Sequence, residues 1–173
     1  MIIFFYLLIL LISIGFSIFI SNQYFLYQQK PTPEKIASIL QKFSTQFRFR
    51  NHLSEAELES ILAKVLQRYF KNVKTQVSMQ GRERIDIDID NQVGIEVKLA
   101  KLLKKTNERN RLLGQMDLYR SRKYINKTLL AVIAGSPSQF LENHILELEK
   151  LLNQKNVRLI KLKLTQNQDE CNS

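Results

Sequence analysis

The sequence predicts an α/β domain built on a mixed sheet flanked by helices, preceded by one N-terminal transmembrane helix. Three stretches predict it. Residues 84–98 (RIDIDIDNQVGIEVK) alternate apolar and polar on either side of Asn91-Gln92, as two strands joined by a tight turn do. Residues 128–134 (TLLAVIA) are a continuous apolar run of strand length, the pattern of a strand covered on both faces. Residues 2–20 are almost unbroken hydrocarbon, relieved only by Tyr6, Ser13, Gly15 and Ser17.

That first run sets the organisation of the chain. Nineteen helical residues at ~1.5 Å each reach about 28 Å, close to the hydrocarbon thickness of a bilayer. No Lys, Arg, Asp or Glu occurs before Lys30. No basic residue precedes the run and no small-x-small cleavage site follows it, so an uncleaved anchor is expected over 1–21 rather than a signal peptide. Lys30, Lys35, Lys42, Arg48 and Arg50 follow the anchor, which places the C-terminal part in the cytoplasm by the positive-inside bias. Cys171 is the single cysteine; it cannot form an internal disulfide, which is compatible with a reducing compartment. The rest of the chain suits one domain with a real core.

Residues 22–52 read as a linker and an amphipathic stalk helix. Tyr24 and Tyr27 suit the membrane interface. Thr32 caps a helix with Pro33 at its first position, and Ile36, Ile39, Leu40 and Phe43 share one stripe, to pack or to lie on the membrane surface. The domain proper is expected over 53–164. Ser54 and Glu57 form a capping box, with Leu53 and Leu58 as its hydrophobic staple. Leu58, Ile61, Leu62, Val65 and Leu66 build the buried stripe, and Glu55 points along the same side. A strand over 73–79 precedes the hairpin. In the hairpin Ile85, Ile87 and Ile89 face one way and Asp86, Asp88 and Asp90 the other; Val93, Ile95, Val97 and Leu99 alternate against Gly94, Glu96 and Lys98.

A helix over about 107–123 follows, then the apolar strand. Ser136-Pro137 with Gln139 opens another helix, with Leu141, Ile145, Leu148 and Leu152 on its stripe. Residues 157–164 form a last strand, placed at an edge by Lys161 and Lys163. The polar tail 165–173 is expected to be disordered.

The chemistry lies in the hairpin. Hydrolysis of a phosphodiester uses a metal to neutralise charge and acidify an attacking water. Mg²⁺ takes oxygen ligands, often only one or two carboxylates. Asp86 and Glu96 lie on neighbouring strands and can reach one ion, and Lys98 shares a face with Glu96. The Lys98 ammonium can act on the nucleophile or the transition state. Taken alone, the same residues also describe the wet face of an exposed hairpin with Lys98 paired across it. Glu55 alone reads equally as a carboxylate favouring the positive end of a helix.

Helix, three strands, helix, strand, with Glu55, RID at 84–86, EVK at 96–98 and GQMDLY at 114–119, resembles the PD-(D/E)XK nuclease superfamily. The last segment is similar to the Q-x-x-x-Y motif of its RecB-like branch, through Gln115 and Tyr119. The residue before Asp86 is Ile85 where the motif has proline, and Asp88 competes for the strand carboxylate. The resemblance spans roughly 53–134. It implies a restriction-endonuclease-like αβββαβ core. It also implies Mg²⁺ (or Mn²⁺) held by Asp86 and Glu96 with help from Glu55, catalysis by Asp86, Glu96, Lys98 and Gln115, and DNA as substrate.

The formal charge of +10 favours nucleic acid or anionic lipid. Phosphate contacts are expected from Lys101, Lys104, Lys105, Arg109, Arg111, Tyr119, Arg120 and Arg122, with strong salt dependence. The expected partners are DNA and the membrane, and a homodimer stays open. A catalytically inactive module holding DNA or a partner protein at the membrane is the alternative. Zinc chemistry is excluded by one cysteine and two isolated histidines, and no Gly-rich phosphate loop is present. Tyr69, Phe70 and Phe140 read as core aromatics.

Overall fold

The computed structural model describes residues 30–49, 53–79 and 83–166, with Ser13, Ile14 and Ser17. In chain order its elements are α1 (Pro33–Gln46), β1 (Arg48–Phe49), α2 (Glu55–Leu66), β2 (Val73–Ser78), β3 (Arg84–Ile89), β4 (Val93–Leu99), α3 (Thr106–Arg122), β5 (Thr128–Gly135), α4 (Asn143–Gln154), β6 (Val157–Lys163) and β7 (Thr165–Gln166).

Five strands form one mixed sheet in the order β2-β3-β4-β5-β6. The β2–β3 and β3–β4 pairs are antiparallel; β4–β5 and β5–β6 are parallel, each parallel pair joined through a helix as that connection requires. The hairpin turn places Asp90 and Asn91 at positive φ, a conformation these short polar side chains tolerate.

The sheet is covered on both faces. On one, α1 and α2 pack Ile36, Leu40, Leu58, Leu62 and Leu66 onto Ile87, Ile95, Val97, Leu130, Val132 and Ile160. On the other, α3 and α4 pack Leu112, Met116, Tyr119, Ile145, Leu148 and Leu152 onto Ile85, Leu129, Ala131 and Ile133. Strand β5 alternates between the two cores, which is why its sequence is apolar throughout. At α2 the Ser54–Glu57 capping box forms in full. At α1 Thr32 accepts from the Lys35 N–H at 3.3 Å.

Several expectations change. The amphipathic helix of 33–46 is no stalk: Ile36 and Leu40 are fully buried in the same core as α2, so the packed unit starts at α1. Ser136 and Gln139 do pair, with the Gln139 Oε1 accepting the Ser136 N–H at 2.9 Å, but they close a 3-10 turn over Gln139–Leu141. Helix α4 begins only at Asn143, so Leu141 falls outside the stripe and is 76 % exposed. Thr165 and Gln166, expected in a disordered tail, pair in parallel with Arg48 and Phe49. Residues 167–173 lie outside the described residues, as does the expected anchor apart from Ser13, Ile14 and Ser17, which are helical. Among the described residues no helix is long and apolar enough to cross a membrane.

Ile85 also departs from the simple alternation. It joins the α3 side, while Ile87 and Ile89 join the α1–α2 side. The face changes at Asp86, and that residue opens the site.

Candidate active site

The ladder between β3 and β4 stops early. Its last pair is Ile87↔Ile95, although β3 reaches back to Arg84 and β4 runs on to Leu99. Beyond that point β3 stays with β2, through Ser78↔Arg84, and β4 stays with β5, through Leu99↔Ala134. The sheet is therefore split between its second and third strands.

A split leaves β4 backbone donors without a strand partner, and buried N–H groups must find one. Two carboxylates supply it. Asp86 Oδ2 accepts the Val97 N–H at 2.7 Å, and Glu55 Oε1 accepts the Leu99 N–H at 3.0 Å. Asp86 comes from β3 and Glu55 from the first turn of α2, so acidic groups from two elements are drawn to one strand edge.

The other side of the split is filled from α3. Tyr119 donates its hydroxyl proton toward the Arg84 carbonyl at 2.7 Å and lies 3.0 Å from Glu96 Oε2. Gln115 Nε2 donates to the Tyr119 oxygen at 3.3 Å. Lys98 Nζ lies 2.8 Å from Glu96 Oε1 and 3.6 Å from Glu55 Oε2. Glu96 and Lys98 are 1 % and 5 % exposed; Asp86 and Glu55 are partly exposed and form the open side of the cluster.

The electrostatics follow from crowding. Burial, reinforced by the charge of Asp86, pushes the Glu96 carboxyl up to about 7. Burial also raises Asp86, with Glu55 adding to it. Burial opposes the charged form of Lys98, but Glu96, Glu55 and Asp86 outweigh it and hold the ammonium above its ordinary value. Burial and the neighbouring Glu96 raise Tyr119, which therefore remains a neutral phenol. Tyr119 has one proton for two acceptors, Arg84 O and Glu96.

Two residues at this site carry no motif. Glu59, buried one turn beyond Glu55, is raised by burial and by Asp86, and its Oε2 accepts from Gln76 Nε2 at 2.7 Å. Gln76 on β2 also lies 3.3 Å from Asp86 Oδ1. The i, i+4 spacing to Glu55 could have singled out Glu59. Nothing local could have singled out Gln76, whose φ of 51° is set by its surroundings.

Asp88, the competing strand carboxylate, is committed elsewhere. It accepts from Tyr124 Oη, from Lys123 Nζ at 2.8 Å and from the Asn91 N–H at 2.9 Å. Burial opposes its charge, yet these donors outweigh it and hold Asp88 below its ordinary value. It anchors the hairpin turn to the end of α3.

The expected phosphate contacts divide. Lys101, Lys105, Arg111 and Arg122 are exposed, as is Lys104, which lies 3.5 Å from Glu142. Arg111 lies 3.7 Å from Glu108. Arg109 and Arg120 are half-buried, and both guanidiniums serve backbone carbonyls. Arg109 donates to Leu103 and Lys104, closing the turn before α3; Arg120 donates to Lys127 and Asn156, clasping two loops. Tyr119 is corrected, because it is fully buried and cannot touch DNA.

Asp86 and Glu96 are the residues that would hold a divalent cation. Among the described residues no three acidic, histidine or cysteine groups enclose a metal by themselves. Mg²⁺ does not require that, since one or two carboxylates with water and phosphate suffice. Asp86 and Glu96 offer only hard oxygen, each raises or suffers the cost of unneutralised charge, and Asp86 Oδ1 holds no contact shorter than the one to Gln76. A cleft of about 640 Å³ lies at the other end of β4, against Lys30, Lys71, Asn72, Gln92 and Lys127. It contains none of these residues and has no paired carboxylates.

No family model, curated protein or solved structure matches the chain.

Proposed function

We propose that this chain is a Mg²⁺-dependent nuclease of the PD-(D/E)XK type that hydrolyses DNA phosphodiester bonds, anchored in a membrane by residues 1–21 with its domain in the cytoplasm. One observation carries the reading: at the split between β3 and β4, Asp86 accepts the Val97 N–H, between Glu96 and Lys98 in the chain, and Lys98 is bound to Glu96. The element order and the exposed basic residues beside the site support it.

Asp86 and Glu96 would hold the cation, with Glu55 and Gln115 as supporting groups. Bound there, Mg²⁺ or Mn²⁺ supplies charge neutralisation and a more acidic water. Lys98 places its positive charge where negative charge develops on the phosphoryl oxygens. Glu55 and Asp86 keep the β4 edge hydrogen-bonded, which holds Lys98 and Glu96 in register. Tyr119 orients Glu96. Lys101, Lys104, Lys105, Arg111 and Arg122 would bind the phosphate backbone.

The second reading, a module that binds DNA or a partner protein without cutting, is favoured by one fact: Glu96 and Lys98 are almost wholly buried against each other. Both readings meet in one assay. The fragment from Thr32 is incubated with linear, nicked and branched DNA and Mg²⁺, beside Lys98→Ala and Glu96→Ala. Cutting by the parent alone, with DNA binding kept by all three, supports the nuclease. Equal binding and no cutting by any of them supports the module.

A further inference from the structure

Strand β2 is irregular at Gln76. Gln76 has φ 51°, the left-handed region, and the β2–β3 ladder skips it: pairing passes from Thr75↔Ile87 to Val77↔Ile85 and leaves both Gln76 and Asp86 out. One residue drops out of each strand, so the register is the same on either side. Gln is not among the residues that adopt this conformation readily, and such outliers persist where the surroundings over-determine them. The flanking pairs hold the strand on either side. The turned residue lies beside Asp86, the residue that drops out of β3 at the same point.

The side chain explains the turn. Its carboxamide Nε2 reaches Glu59 Oε2 at 2.7 Å and Asp86 Oδ1 at 3.3 Å, one donor group set between two carboxylates from different elements. Those carboxylates repel each other, and Glu59 is buried. Among the contacts described for Glu59, Gln76 is its hydrogen-bond donor. Asp86 Oδ2 is spent on the Val97 N–H, so Oδ1, the oxygen beside Gln76, is the one left for a cation.

We propose that Gln76 is a positioning residue of the site: its left-handed backbone turns the carboxamide between Asp86 and Glu59 and so aims Asp86 Oδ1 at a divalent cation. The inference rests on the cation reading of the site given above. Outer partners of this kind alter metal affinity by roughly 10–100-fold when removed.

Mn²⁺ binding to the 32–173 fragment, followed by the loss of its free electron paramagnetic resonance signal, tests the proposal without any nuclease assay. Gln76→Gly removes the carboxamide and relieves the backbone; Gln76→Asn keeps an amide and tolerates positive φ but is one carbon too short. Both are expected to weaken Mn²⁺ binding by about 10-fold or more, with each variant shown to be folded by circular dichroism. Asn156→Gly, at another positive-φ position remote from the site, controls for backbone relief and should leave Mn²⁺ affinity unchanged. If Gln76→Gly and Gln76→Asn bind Mn²⁺ as tightly as the parent, Gln76 has no positioning role. If the parent itself binds no Mn²⁺, the cation reading fails, and this inference with it.

Discussion

Glu96 pits burial against charge, and its behaviour with pH follows. Its carboxyl titrates near 4.5 when exposed and is pushed up to about 7 in the fold. Below 4.5 both states are protonated and no penalty exists. As pH rises toward 7 the unfolded chain releases the proton and the folded one keeps it, so folding weakens by up to roughly 3 kcal/mol. Asp86 and Glu59 shift in the same direction and add to the loss. Urea unfolding of the metal-free fragment between pH 4.5 and 7.5 measures this, and Glu96→Gln should flatten the slope. Lys98 gives the complementary test. Lys98→Ala leaves Glu96 buried without its cation, a change that costs about 3–5 kcal/mol at a buried pair. The double variant with Glu96→Gln should recover much of that stability while remaining unable to cut DNA. A double variant no more stable than Lys98→Ala would show that the pair does not govern folding here.

At the level of elements, the segments whose ends are written locally form where the chain says they should. The Ser54–Glu57 box is one, and Ser54→Ala should cost about 1 kcal/mol in thermal unfolding, with cleavage unchanged. Strand β4 offers a sharper case. A Cβ on Gly94 would collide with Ile85 Cδ1 and approach Tyr124 Cζ to 2.7 Å. Gly94→Ala therefore overpacks the sheet against α3, with an expected loss of about 1–3 kcal/mol. Helix α4 shows where local signals mislead. Ser136, Pro137 and Gln139 do make their hydrogen bond, but Phe140 must enter the core and the chain closes a 3-10 turn before the helix starts.

For the whole molecule, α1 decides what counts as the domain. Ile36 and Leu40 are each worth roughly 1.5–3 kcal/mol of burial, and a domain of this kind has only about 5–15 kcal/mol in total. A fragment starting at Leu53 should therefore unfold readily or aggregate, whereas one starting at Thr32 should fold cooperatively; circular dichroism melting of the two separates them. Strands β1 and β7 also tie the segment after α1 to the end of β6, adding a long-range link that no short window of sequence reveals. The basic balance belongs to this scale too, and under the proposed function DNA affinity should fall steeply with salt.

Much was settled by sequence alone. Periods of two and of 3.6, the capping box and the doubly buried β5 are properties of short windows, because backbone geometry and solvent exposure act there directly. The candidate carboxylates and Lys98 were legible as residue types at strand spacing. Their roles were not. Only the tertiary structure parted β3 from β4, turned Asp86 and Glu55 onto the β4 N–H groups that the split leaves without a strand partner, and brought in Glu59 and Gln76. It also buried Tyr119 and committed the guanidiniums of Arg109 and Arg120 to backbone carbonyls. The reason is that a hydrogen-bonding group takes whichever partner the packing leaves nearest, and in this fold those partners lie tens of residues away along the chain.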